Sequence, residues 1–290
     1  MTFELVEDRD YAKAPIVKND SLEKLENLAL TMPQVQCDVF HTFGPGVYMR
    51  EMRIPKGTLA VGHHHNFQHI SVFLKGKMTF FAEDGTKKEL KAPMTFVSSP
   101  GQKVVYAHED SIFLNIHATN ETDVEKIEEH HISQKDSYFL DKAKRDAMPL
   151  LTSSIDNNDF DLFLLEFDLD KEKVRALAET KDDMTDLPYG IYKIKKGKSK
   201  IEGVGIFATA NIDPGELIAP ARIDKKRTIA GRFTNHSAFP NAKMIQGSKD
   251  NIDLISIQQI SGCHGGQDGE EITINYRDAF KLNLEIARGT

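Results

Sequence analysis

Between residues 37 and 118 the chain is cut into short runs of Val, Ile, Phe and Thr, and this punctuation limits the fold more than any other feature. The breaks are Gly44-Pro45-Gly46, Pro55-Lys56-Gly57, Lys75-Gly76-Lys77, Asp84-Gly85 and Pro100-Gly101. Runs this short suit strands, and the turn residues between them predict an antiparallel sandwich or barrel. After this stretch the texture changes. Residues 123–129 and 170–179 read as helices with acidic starts. Short strands and turns return from residue 190, at Gly203-Val204-Gly205, Asp213-Pro214-Gly215 and 262–269. Upstream, Leu22, Leu25 and Leu28 follow Asp20-Ser21, which predicts a short helix over 21–32. The expected fold is therefore mainly β. It comprises an arm at 1–34, a β-barrel at 35–119, a helical connector at 120–186 and a second β unit at 187–290.

A chain of 290 residues is long enough for two cores. The net charge of −7 argues against a general nucleic-acid binder. No run of about 18 apolar residues occurs, so no membrane span is expected. The start, Met1-Thr2-Phe3-Glu4-Leu5-Val6-Glu7-Asp8, is acidic and lacks the apolar stretch of a signal peptide. Cys37 and Cys263 are the only cysteines, too few for a disulfide framework or a four-cysteine zinc site. A cytoplasmic location is expected.

Histidines gather in the first unit. Gly57 is followed by His63-His64-His65, then His69, then Gly76. On a strand, His63 and His65 share one face and His64 takes the other. His69 is placed to return from the next strand. Three imidazoles inside a small barrel suit a divalent transition metal such as Zn, Fe, Mn, Ni or Cu. The spacing resembles the first motif of the cupin superfamily, with His69 where Glu is usual. The second cupin motif carries a histidine shortly after a Pro-Gly turn. Pro100-Gly101-Gln102-Lys103-Val104-Val105 has none, and His108 and His117 come later. Phe43-Gly44-Pro45-Gly46-Val47-Tyr48, Pro93-Met94-Thr95-Phe96 and His108-Glu109-Asp110-Ser111 look like a cupin-type domain common among bacteriophage proteins. That resemblance implies a phage-encoded protein acting in the host cytoplasm.

The second unit carries two polar blocks that do not read as core. They are Arg232-Phe233-Thr234-Asn235-His236-Ser237-Ala238-Phe239-Pro240-Asn241 and Glu270-Glu271-Ile272-Thr273-Ile274-Asn275-Tyr276. Ahead of them stands Glu202-Gly203-Val204-Gly205-Ile206-Phe207. Together they resemble the motifs of SET-domain protein lysine methyltransferases. The resemblance implies a SET-type β-fold whose Asn235-His236-Ser237 segment threads a loop as a pseudoknot. It implies that S-adenosylmethionine is the cofactor, held by Asn235 and the backbone at His236, with Gly203, Val204 and Gly205 lining its methionine portion. The resemblance further implies that Arg232 supports the knot or the cofactor carboxylate, that Tyr276 is the catalytic tyrosine and also touches the cofactor, and that Ile274 and Phe280 line the substrate channel. The partner implied is a protein with a target lysine, and the cupin becomes a docking or homo-oligomerisation module.

Departures from the pattern are visible. Leu217-Ile218-Ala219-Pro220-Ala221-Arg222-Ile223-Asp224-Lys225-Lys226-Arg227 has no tyrosine where many relatives carry one. Ile274 stands where Phe or Tyr is common, and no cysteine cluster follows the last motif. The run Lys193, Lys195, Lys196, Lys198 and Lys200 reads as a solvated strand and turn, or as a contact for an acidic partner. Two other classes stay open: a cupin metalloenzyme using the histidines, and a non-enzymatic virion or host-interaction protein.

Overall fold

A computed structural model describes Leu22, Leu25, Glu26 and Ala29, then residues 32–82, 87–133, 154–264 and 268–288, with backbone alone over 154–158. Most of the helix expected over 21–32 lies outside the described residues. Among the described residues the first unit has nine strands: β1 (Val39–Gly44), β2 (Val47–Ile54), β3 (Leu59–Val61), β4 (His69–Lys75), β5 (Lys77–Ala82), β6 (Lys87–Lys91), β7 (Met94–Ser98), β8 (Lys103–Ala107) and β9 (Ser111–Ala118). They pair antiparallel in two sheets, ordered β1-β2-β9-β4-β7 and β3-β8-β5-β6. Alternation sets the faces. On β4, His69, Ser71 and Phe73 are buried while Ile70 and Leu74 are exposed. Between the sheets lies a core of Ile54, Phe73, Met78, Leu90 and Ala107.

Among the described residues the connector holds three helices: α1 (Val124–His131), α2 (Ser154–Glu166) and α3 (Lys171–Glu179). The two expected helices are α1 and α3. Asp123 caps α1 by accepting from the Glu125 N–H at 3.2 Å, and Asp170 caps α3 from Lys173 at 2.8 Å. The second unit contains β10 (Gly190–Tyr192), β11 (Ile194–Lys198), β12 (Val204–Ala208), β13 (Leu217–Ile223), β14 (Lys226–Arg227), α4 (Ile229–Phe233), β15 (Asn235–His236), β16 (Ala242–Gln246), β17 (Ile252–Ser256), β18 (Glu271–Ile274) and α5 (Tyr276–Arg288). Apart from β10, these strands form two four-stranded sheets, β11-β12-β18-β15 and β14-β13-β17-β16. No helix among the described residues is long and apolar enough to cross a membrane.

The expected boundary at residue 187 is not a clean one. Strand β10 joins the barrel, pairing with β1 through His41↔Tyr192, Thr42↔Ile191 and Phe43↔Gly190. Phe43 and Tyr48 from the barrel, Val124 and Ile127 from α1, and Ile206 and Ile274 from the second unit share one buried cluster. The lysine run also departs from a solvated strand. Lys193 pairs with Glu216 at 2.8 Å, Lys195 with Asp268 at 2.6 Å, and Lys196 with the α1 cap Asp123 at 2.8 Å. The last of these ties the start of α1 to β11.

Candidate functional site

Two side-chain groupings carry chemistry. The first is at the barrel mouth. There α1 ends against the histidine loop: Asn66 N–H donates to the His131 carbonyl at 2.8 Å, and Ser133 N–H to that of His64 at 2.9 Å. This brings His131 over the barrel. His65 and His69 face each other with ring centroids 4.3 Å apart. His117, from β9, lies 5.0 Å from His69 and 4.5 Å from His131. Strand spacing points to His65 and His69 but not to His117 and His131, which reach the pocket from distant parts of the chain. His63 is half-buried beside them, and His64 is buried.

Burial in a low-dielectric pocket disfavours charge on each ring. It lowers His65 well below the ordinary value, aided by His69 and His117. It lowers His117 to about 3 and His131 to about 4, aided by their histidine neighbours. The rings of His65, His117 and His131 are therefore neutral, the form that binds metals. Nδ1 of His65 and Nδ1 of His131 are buried without a hydrogen-bond partner among the described residues. Yet among the described residues no three His, Cys, Asp or Glu donors stand placed to hold a metal ion.

The second grouping is built around β15. Thr228 caps α4, its hydroxyl accepting from Ala230 at 3.2 Å and Gly231 at 3.4 Å. The chain then lays Asn235 and His236 parallel beside β18, in register with Thr273 and Ile274. Asn241 locks the arrangement from the far side. Its Nδ2 donates to the Glu271 carbonyl and its Oδ1 accepts from the Thr273 N–H, both at 2.8 Å. The Asn235 amide donates to the carbonyls of Glu202 at 3.0 Å and Val204 at 3.2 Å, and to Glu271 Oε1 at 2.8 Å. One side chain thus joins β15 to the glycine segment and to β18. Asn235→Ala removes this donor from the Glu202 and Val204 carbonyls, while Glu271 Oε1 keeps the Ser199 hydroxyl at 2.7 Å. It is expected to cost about 2–3 kcal/mol, and a denaturant midpoint matching wild type would exclude this bridging role.

The glycine segment behaves differently at its two glycines. A Cβ on Gly205 would lie 2.3 Å from Glu271 Oε1, so Gly205 admits a carboxylate of this chain. Gly203 has φ of +53° and open space where its Cβ would stand, beside the exposed Val204. Gly203 is therefore the position where a ligand can approach the backbone.

Tyr276 follows β18 by two residues. Its N–H donates to His236 Nδ1 at 3.1 Å and its hydroxyl to the Thr234 carbonyl at 3.2 Å. Because Nδ1 accepts, the His236 proton sits on Nε2, which faces Asp159 Oδ2 at 2.9 Å. His236 is a neutral structural link. Asp159 also takes Arg277 at 2.6 Å, and Arg277 reaches Glu166 at 2.7 Å. The Arg277 hydrogen bond holds the Asp159 carboxyl below its ordinary value. These contacts fasten α2 over Tyr276. Phe160 and Phe163 meet the Tyr276 ring edge-on at 6.0 and 6.2 Å, and Phe163 and Phe167 meet Phe280 at 6.1 and 4.8 Å. Burial, with Glu271 and Glu202 nearby, pushes the Tyr276 phenol up to about 12.

Two expected site residues take other places. Arg232 donates to the carbonyls of Thr180 and Glu179, satisfying the end of α3, and stacks on Phe233. Ile274 is 2% exposed and belongs to the shared core rather than to an open wall.

No family model and no curated protein sequence matches the chain. Solved structures overlap part of it. KdgF from a Halomonas species is 19% identical, with a TM-score of 0.23, over 26% of this chain and 72% of its own. A cupin domain from Bordetella pertussis Tohama I is 16% identical, with a TM-score of 0.26, over 30% and 98%. A cupin protein from Bacteroides fragilis is 27% identical, with a TM-score of 0.23, over 26% and 68%. Residues 39–118, by their own strand order and antiparallel pairing, form a two-sheet antiparallel β-sandwich.

Proposed function

We propose that the chain is an S-adenosylmethionine-dependent protein lysine N-methyltransferase of SET type. Support comes from one arrangement above all: Asn235-His236 lies beside β18, and Tyr276 comes directly after that strand with its hydroxyl back on Thr234. The cofactor, when bound, supplies an electrophilic methyl group on a sulfonium. The open backbone at Gly203 and the segment at Asn235 and His236 are the residues that would hold it. The threaded segment is the SET pseudoknot in this proposal, and Phe280 with Phe163 supplies the apolar wall for the substrate amine.

The chain's own groups then account for the chemistry. A free lysine has a pKa near 10.4, so keeping it neutral at pH 8 costs roughly 3 kcal/mol. An apolar wall opposes the charged amine and meets part of that cost. The Tyr276 hydroxyl spends its proton on Thr234, which leaves its oxygen lone pairs to accept from an amine N–H. With its phenol near 12, Tyr276 orients the amine and does not serve as a base. The test is incubation with labelled S-adenosylmethionine and a bacterial lysate, then mass spectrometry of modified lysines, beside calorimetry of the cofactor. Micromolar binding with labelled lysines is expected. Absence of both would remove the proposal and favour a virion or host-interaction role.

The histidine pocket supports a second, separate activity class, a cupin that binds a divalent transition metal. The unpartnered Nδ1 atoms of His65 and His131 favour it. Elemental analysis of protein dialysed against Zn, Mn, Fe and Ni in turn is expected to find about one ion per chain. His65→Ala with His69→Ala should abolish it. Equal metal in wild type and the double variant would assign the ion elsewhere.

A further inference from the structure

The seam between the two units sets the cysteines side by side. Gln36 and His264 form an antiparallel bridge. The next residue on one strand and the preceding residue on the other, Cys37 and Cys263, therefore stand opposite each other. Opposed residues on antiparallel strands have Cα atoms about 4.5–5.5 Å apart and side chains on one face. A disulfide spans Cα separations of about 4.4–6.8 Å. Contacts agree with the register. The Cys263 thiol points at the Cys37 carbonyl at 3.4 Å and the Thr209 carbonyl at 3.0 Å. Val39 N–H also donates to Thr209 at 3.0 Å, and the Thr209 hydroxyl returns a bond to Val39 at 2.8 Å. Both thiols are free and partly buried.

We propose that Cys37 and Cys263 are an oxidative modification site, a thiol pair that a peroxide closes into an intramolecular disulfide across the seam. One thiolate attacks a peroxide oxygen, the O–O bond breaks, and a sulfenic acid and hydroxide form. The second sulfur displaces hydroxide from the sulfenic sulfur and the S–S bond forms. The two sulfurs give up two electrons, and hydrogen peroxide takes them with the two thiol protons to become two waters. The bond joins the lead-in of β1 to the loop ahead of β18, and it does not depend on the methyl-transfer proposal. Burial slows the reaction. It pushes Cys37 up to about 11 and raises Cys263, so thiolate is scarce at neutral pH and its fraction grows about tenfold per pH unit.

The test treats the full chain with hydrogen peroxide over a pH series, quenches with N-ethylmaleimide, and reads intact mass and a non-reducing peptide map. Expected are loss of two hydrogens per chain, a linked Cys37–Cys263 peptide, reversal by dithiothreitol and a rate rising roughly tenfold per pH unit. Cys37→Ser and Cys263→Ser should each end at a sulfenic or sulfinic acid with no link. Either serine variant can fail to fold, so the wild-type map decides. Full alkylation of both cysteines after peroxide, sulfinic acid in place of the link, or a disulfide only between chains would overturn the proposal.

Discussion

Replacing Tyr276 with phenylalanine is expected to lower lysine methylation by on the order of a hundredfold, a loss comparable to removing one aligned catalytic hydrogen-bonding group. Cofactor binding should survive. The substitution removes one oxygen and keeps the ring, so the edge-on packing against Phe160 and Phe163 persists. The lost bond to the Thr234 carbonyl is worth about 1 kcal/mol, too little to unfold the chain. Calorimetry of S-adenosylmethionine on the variant separates the two effects. Wild-type turnover with phenylalanine at this position would sink the role given to the hydroxyl. Loss of cofactor binding would instead make Tyr276 part of the binding wall.

The largest stability effect is expected at Gly231. It sits in α4, where helix propensity alone predicts that alanine gains up to about 1 kcal/mol. The packing predicts the opposite sign. A Cβ at this position would lie 2.0 Å from the carbonyl oxygen of Ala221 and 2.8 Å from its carbon. That oxygen belongs to β13 and already accepts from the Thr228 N–H at 3.0 Å, so it cannot swing aside cheaply. Gly231→Ala should therefore cost about 3 kcal/mol or more, a fall of roughly 6–10 °C in Tm. A calorimetric Tm at or above wild type would show that α4 can lift from β13 without penalty. In the methyl-transfer proposal, the same displacement is expected to shift Asn235 and to weaken cofactor binding.

Turn residues made the first unit legible. Gly-Pro-Gly, Pro-Lys-Gly and Pro-Gly breaks dictate where strands stop, and β1, β2 and β7 end close to where those breaks place them. Which strand lies beside which was not legible, because pairing is decided by contacts far apart in the chain. The acidic caps Asp123 and Asp170 marked α1 and α3 through local hydrogen bonding. Helix α2 gave no such signal. It carries Phe160, Leu162, Phe163, Leu164 and Leu165 together, so no single stripe repeats with helical spacing. Its contact with α5 is what presents Phe163 to Tyr276. In the histidine pocket, strand alternation and spacing gave His65 and His69. His117 and His131 depend on how β9 and α1 dock, which no local pattern encodes. The glycine pair suggests one ligand cradle in the sequence, and only Gly203 is open. Gly205 is filled by Glu271, a residue whose role rests on β12 pairing with β18.

The strand that crosses the expected boundary changes what the barrel is for. With β10 hydrogen-bonded into its wall, and with Phe43 and Tyr48 embedded in the core that also holds Ile206 and Ile274, the barrel is a buttress rather than a tethered passenger. Close-packed interiors transmit strain instead of absorbing it. A load on the barrel's outer wall is therefore carried into the sheet that seats Asn235, with no slack in between.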